Sequence, residues 1–322
     1  MPTRYYEKAQ EDFLNHYETR IGNCTIHPLI DNHDSLTLIV KSESIKPGNE
    51  PRLLLHKKSS KHALVISHGL SDSPHYVSAI AEEFFHIGVN VVVPLMPAHG
   101  LVDPDNAMED YALEDKWRKE FDIMTNIASK LGNVISVGGF SKGGALAYNK
   151  ILRDPDSIKG GLFLFAASLD VRLISELGRV KFMSTIAKIT DGKIEGYGMD
   201  PYKYPKLPMF AALELGQIIN ENEKLSNDHD PITQPVFAAH SIDDITAKIE
   251  GIKNLLENKA TKGILYTLSN GMAHAELPLK DDIIIVDSYS GGKPAYANPD
   301  FGIMMDACLS FFLKYVEHSE IA

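Results

Sequence analysis

Apolar residues along this chain follow two rhythms. Short unbroken runs appear at ALVIS (63–67), NVVVP (90–94), NVISVGGF (133–140), GLFLFAA (161–167), PVFAAH (235–240) and GILYTL (263–268). Successive apolar positions over so short a span predict strands covered on both faces. Between the runs lie stretches of helical character around 75–86, 114–131, 143–153, 247–258 and 302–317. In the second of these, Trp117, Phe121, Met124, Ala128 and Leu131 recur at helical spacing. Its other side carries Glu114 with Arg118 and Asp115 with Lys119, four apart, which predicts a solvated, ion-paired face. Strands alternating with helices predict an α/β fold: a mostly parallel central sheet with helices on both faces.

Two stretches break the alternation. Residues 168–234 fall between two core strands and show no strand pattern of their own. They carry Tyr197, Tyr202, Tyr204, Phe210, Met183, Met199 and Met209, with prolines at 201, 205 and 208. That is too long for a simple connection, and it predicts an inserted, mainly helical cap or lid. The core would then be one discontinuous domain, 1–167 with 235–322. A smaller irregular insertion spans about 278–300, and residues 1–60 predict a helix followed by two antiparallel strands near 25–30 and 36–41.

Composition narrows the possible partners. The chain has 322 residues, a formal net charge of −11 and two cysteines, Cys24 and Cys308. The charge argues against nucleic acid or an anionic membrane as a main partner. The cysteines lie far apart and outside any C-x-x-C frame, which suits a reducing compartment and offers no Cys/His metal site. The charged opening lacks the apolar core of a secretory signal, and no apolar run approaches a membrane span. A soluble, cytoplasmic protein is expected.

Four glycines, Gly138, Gly139, Gly143 and Gly144, surround Ser141 where the third apolar run meets a helix. The frame Gly139-Phe140-Ser141-Lys142-Gly143 reads G-x-S-x-G, the nucleophile elbow. In such a turn the serine backbone is strained, and its neighbours must be small to let strand and helix approach. The hydroxyl then sits at a helix N-terminus, where developing negative charge is favoured. A serine needs a base and a group to orient it, and in this architecture the acid and then the histidine follow successive later strands. PVFAAH leads into Ser241-Ile242-Asp243-Asp244, and GILYTL leads into a loop carrying His274.

On these residues the sequence resembles the α/β-hydrolase superfamily, in its esterase and monoacylglycerol-lipase-like branch with a helical cap. The resemblance rests on SHGLSDSP (67–74), PLMPAHGL (94–101), GGFSKGGA (138–145) and the SIDD and AHAEL pair, and covers roughly 60–317. It implies Ser141 as nucleophile and His274 as general base and acid. It also implies an oxyanion hole from the backbone N–H groups of Leu70 and Lys142. With Ser241 in the turn position the acid is Asp244 in preference to Asp243, which could instead cap the helix near Ala247; Glu276 is a weaker candidate. Lys142 stands where many relatives have a neutral residue, and Ala98-His99-Gly100 replaces their G-H-G. The implied activity is hydrolysis of carboxylic esters of short to medium acyl length on a small-molecule substrate, without a cofactor. Thioester or amide hydrolysis, acyl transfer, or a non-catalytic ligand-binding role would use the same residues.

The other histidines read as structural. His68 and His240 end core strands and should anchor loops, while His99 is placed near the mouth of the site. His27, His33, His56, His62, His75, His86, His229 and His318 read as surface or packing residues. No H-E-x-x-H frame or dinucleotide-binding glycine pattern is present, so no metal or nucleotide is implied.

Overall fold

The six apolar runs form six adjacent strands. They are β4 (His62–Ser67), β5 (Asn90–Val93), β6 (Val134–Phe140), β7 (Leu162–Phe165), β10 (Val236–Ser241) and β11 (Gly263–Leu268). They lie in the order β5-β4-β6-β7-β10-β11, and every neighbouring pair is parallel. Residues on β4 to β7 and on β10 are buried throughout, as their unbroken apolar sequences require. The structure is a computed structural model and describes residues 6–170, 193–195, 200–204, 206–269, 271–283 and 296–318.

Before this parallel block the chain forms helix α1 (Glu7–Ile21) and an antiparallel run, β1 (Thr25–Asp31), β2 (Ser35–Lys41) and β3 (Arg52–His56). The pattern predicted the first two of these strands. The third, RLLLH, is a five-residue strand that pairs antiparallel with both β2 and β5 and joins the run to the main sheet. The result is a nine-stranded, mostly parallel sheet. Further helices are α2 (His75–His86), α3 (Asp105–Met108), α4 (Leu113–Ala128) and α5 (Lys142–Arg153), then α6 (Met209–Asp228), α7 (Ile249–Asn254) and α8 (Phe301–Phe312). One face of the sheet packs under α1, α4, α5 and α6, and the other under α2 and α8. Among the described residues no helix is long and apolar enough to cross a membrane.

The insertion between β7 and β10 departs from its sequence reading. It contains a two-stranded antiparallel ribbon, β8 (Lys193–Glu195) with β9 (Lys206–Pro208), where no strand was predicted. Runs of three residues are too short to carry a period. Met183, Tyr197, Met199 and Pro205 lie outside the described residues, as does much of the 278–300 insertion. Helix α6 rests on α4 and α5 through polar contacts: Asn149 Nδ2 donates to Glu221 Oε2 and Asn222 Oδ1, and Asn222 Nδ2 donates to the Ala145 carbonyl.

Those contacts also change the picture of α4. Its charged side is not simply solvated, because Arg118 stands 3.7 Å from Glu114, 2.5 Å from Asp115 and 2.8 Å from Glu221 on α6. Glu120, also on α4, is buried, with Oε2 2.7 Å from both Arg20 Nη1 and His16 Nε2 on α1. Burial alone would push this carboxyl up, but Arg20 and His16 outweigh it and hold it below the usual carboxylate value. A carboxyl lowered on folding adds stability above its unfolded value, and that stability is lost as pH falls through the folded value. Removing one partner of a buried pair leaves the other uncompensated. Arg20→Met should therefore lower the unfolding free energy in urea at pH 7 by about 3 kcal/mol, and Arg20→Met/Glu120→Leu should recover most of it. A single-variant loss below about 1 kcal/mol would contradict this account of the α1–α4 contact.

Candidate active site

The turn from β6 into α5 is built on backbone contact. A β-carbon on Gly139 would lie 2.3 Å from the Gly143 carbonyl carbon, and one on Gly143 would lie 2.0 Å from the Ser67 carbonyl oxygen. Neither position tolerates a side chain without moving main chain. Between them Ser141 adopts φ 52°, ψ −116°, a conformation costly for a serine. Hydrogen bonds over-determine it: its N–H donates to the Phe165 carbonyl at 3.0 Å, and its own carbonyl accepts from Gly144, Ala145 and Ser168. The hydroxyl is thereby lifted above the carboxyl ends of the strands, at the N-terminus of α5.

Two later loops bring their groups to it. Ser141 Oγ lies 2.9 Å from His274 Nε2, and His274 Nδ1 lies 2.6 Å from Asp244 Oδ2. The Asp244 side chain is fully buried and that of His274 is 13% exposed. Asp244 Oδ1 accepts the N–H groups of Thr246 and Ala247 at 2.8 and 3.0 Å. Burial alone would raise this carboxyl, but the contact with His274 and those N–H groups hold it below its ordinary value. A carboxylate beside Nδ1 fixes the proton there and leaves Nε2 facing the hydroxyl.

The neighbouring acids do other work. Asp243 Oδ2 accepts the Gly271 N–H at 2.9 Å and so secures the histidine loop; it does not cap the helix that follows, α7, whose N-cap is Lys248 and receives no side-chain cap bond. Ser241 Oγ donates to the Met272 carbonyl at 2.9 Å, a second tie between the loops. Glu276 Oε2 accepts the Ala273 N–H and caps the short turn that carries His274. His240 sits 3.6 Å from Asp244 and bonds the Ala247 carbonyl, which anchors the acid loop.

Lys142 follows Ser141 directly, and Leu70 lies on the loop after β4, whose start at Ser67 meets the first turn of α5. Lys142 opens α5, so its N–H has no acceptor within the helix. Among the described residues no acceptor takes the Leu70 N–H either. The loop carrying Leu70 is anchored by His68, whose Nδ1–H donates to the Gly69 carbonyl while Nε2 accepts the Met96 N–H. His99 is fully buried rather than lining a mouth. Its Nδ1–H donates to the Pro97 carbonyl at 2.7 Å, so Nε2 is left to accept from Lys142 Nζ at 3.1 Å. The Lys142 amine also lies 4.6 Å over the Trp117 ring. Burial pushes this amine well below its usual value, and burial together with the Lys142 charge does the same to His68 and His99.

Sequence reasoning missed Ser168. Its Oγ is 3.0 Å from Ser141 Oγ and it is buried. The available signal was its place just past the fourth apolar run, at the same edge of the sheet. Among the described residues no cluster of three or more His, Cys, Asp or Glu side chains could hold a metal ion.

The architecture and this arrangement together define an α/β-hydrolase fold, and known structures agree. The chain matches a structure reported with the metagenome-derived lipolytic enzymes LipS and LipT at TM-score 0.65, 20% identity, covering 84% of this chain and 99% of that one. It matches a monoacylglycerol lipase of Paleococcus ferrophilus at TM-score 0.57 and 16% identity, covering 80% and 96%. It also matches Est1E of Butyrivibrio proteoclasticus with bound ferulic acid at TM-score 0.53 and 16% identity, covering 92% and 96%. At these identities the likeness is one of fold. No protein-family model matches the chain, and no curated protein does.

The glycine contacts give a direct check. Gly143→Ala must part β4 from α5 and should cost about 3 kcal/mol in denaturant unfolding. Gly302→Ala, in the first turn of α8 with nothing within 4 Å, should be neutral or gain about 0.5 kcal/mol. Equal effects at the two positions would rule out backbone contact as the reason for the glycines.

Proposed function

We propose that the protein is a serine hydrolase that cleaves carboxylic esters, with Ser141 as nucleophile, His274 as general base and acid, and Asp244 as the residue that orients His274. The observation that carries this reading is the unbroken line from Ser141 Oγ through His274 to Asp244, at 2.9 and 2.6 Å, on a serine held at positive φ. Nε2 takes the hydroxyl proton as Oγ attacks the ester carbonyl. The resulting oxyanion would be met by the N–H groups of Leu70 and Lys142, each worth about 3 kcal/mol when aimed at developing charge. The imidazolium returns the proton to the leaving alcohol, and water activated by the same nitrogen releases the acid. Asp244, held ionised below the ordinary carboxylate range, stabilises that imidazolium.

The similarity to lipolytic and ester-cleaving enzymes supports esters as the substrate class. We infer an acyl group of short to medium length, and residues 168–234 as a cap that shapes its pocket. Cys24 and Cys308 are both free and buried, which supports a reducing, cytoplasmic location.

Incubation with a fluorophosphonate probe and p-nitrophenyl esters from acetate to palmitate tests the reading. The wild type should label and turn over the shorter esters, and Ser141→Ala should do neither. An unlabelled, inert wild type would overturn it, and faster cleavage of a matched thioester would move the substrate class.

The two adjacent acids should separate. Asp244→Asn should lower kcat by about 10,000-fold because the imidazole loses its orienting charge. Asp243→Asn, which keeps an acceptor for the Gly271 N–H, should stay within about tenfold of wild type. Equal losses in the two variants would reject Asp244 as the orienting acid.

A further inference from the structure

The segment 200–204, part of the insertion between β7 and β10, docks on the loop that follows β4. The Tyr204 N–H donates to the Ser71 carbonyl at 2.7 Å. Lys203 Nζ stands 3.2 Å from Asp72 Oδ1, with the two side chains only 6% and 3% exposed. The same ammonium lies 4.4 Å over the Tyr76 ring, and the Tyr76 hydroxyl donates to Asp200 Oδ2. Tyr202 stacks on His75 with centroids 3.5 Å apart, and Asn49 Nδ2 reaches the Pro201 carbonyl at 3.3 Å.

Asp72 in turn shapes the loop that carries Leu70. A β-carbon at Gly69 would lie 2.2 Å from Asp72 Oδ2, so the carboxylate is folded back against the backbone one residue before Leu70. Ser71, between Leu70 and Asp72, has φ 66°, which persists only where the surroundings over-determine it. Among the described residues Lys203 is the one cation within ion-pair distance of Asp72. Without it the carboxylate would have to take up a proton or turn out of the loop.

We propose that Lys203 is a positioning residue: through Asp72 it fixes the loop 69–74, so that the inserted segment completes the site that receives the oxyanion. This rests on the reading of Leu70 as an oxyanion donor. The oxyanion is absent from the bound ester and develops on the way to the tetrahedral intermediate, so loss of Lys203 falls on kcat and leaves substrate binding nearly unchanged.

The test compares wild type, Lys203→Met, Lys203→Arg, Asp72→Asn and Lys203→Met/Asp72→Asn on p-nitrophenyl butyrate. Amide hydrogen exchange of residues 69–74 is followed in the same proteins. Lys203→Met should lower kcat about 100-fold with KM within about threefold of wild type. Lys203→Arg should recover to within about tenfold, since the charge is kept. The double variant should be no slower than the worse single one, as coupled partners require. Exchange at Leu70 and Ser71 should quicken about tenfold or more in Lys203→Met while β6 is unchanged.

Unchanged kcat, a loss confined to KM, or additive losses would each overturn the proposal. If Lys203→Met does not fold, a slow Asp72→Asn beside a near-normal Lys203→Arg supports it, and a near-normal Asp72→Asn rejects it. An inert wild type overturns the ester-hydrolase reading alone. Exchange then decides whether Lys203 fixes the loop 69–74: faster exchange in Lys203→Met supports it, and unchanged exchange rejects it.

Discussion

Main chain touches main chain where α5 leaves β6, and the rest of the site depends on that contact. With Gly139 against Gly143, and Gly143 against the Ser67 carbonyl, helix and strands approach more closely than any side chain would allow. The approach forces Ser141 into positive φ, at a cost of about 1–3 kcal/mol. The four hydrogen bonds made by its own peptide groups hold it there. It also brings Ser67, at the end of β4, beside the first turn of α5. The loop carrying Leu70 therefore starts next to the nucleophile candidate.

Precision in the other two groups comes from ties between loops rather than from the sheet itself. Strands β10 and β11 deliver Asp244 and His274 to the same edge, but a loop on a strand end has freedom to spare. That freedom is removed by Ser241 Oγ on the Met272 carbonyl and by Asp243 on the Gly271 N–H. The adjacent aspartates thus divide the work: one carboxylate aligns the imidazole and the other holds the loop on which it rides. Both contacts engage backbone groups, so they fix loop positions and not only side-chain rotamers.

Much of this was legible in the sequence, for identifiable reasons. Long unbroken apolar runs such as NVISVGGF report burial on two faces directly, and the glycines around Ser141 report a contact that only absent side chains permit. Asp244 could be favoured over Asp243 from its offset after Ser241, but the division of labour needed coordinates, because both partners, the His274 imidazole for Asp244 and the Gly271 N–H for Asp243, lie on a loop after the next strand. The strand RLLLH and the ribbon β8–β9 were missed because short segments carry too little pattern to separate from loop. Glu120, Ser168 and the reach of Arg118 to Glu221 were missed because charge and hydroxyl are neutral evidence of burial until their partners on α1, the elbow and α6 are known. His16 drew no attention for the same reason.

The fate of Lys142 follows from its position. A lysine at the first residue of a helix places positive charge against the positive end of the helix dipole, which is unfavourable. Here the side chain turns inward, and burial drives the amine toward its uncharged form. The tautomer of His99, fixed by the Pro97 carbonyl, supplies the acceptor that a buried amine needs. The Trp117 ring covers its other side, and the indole N–H is itself bonded to that same carbonyl. Nearby, Asp72 faces Lys203 at 3.2 Å. The charged side chain that stands in line with Ser141 is then Asp244, behind His274.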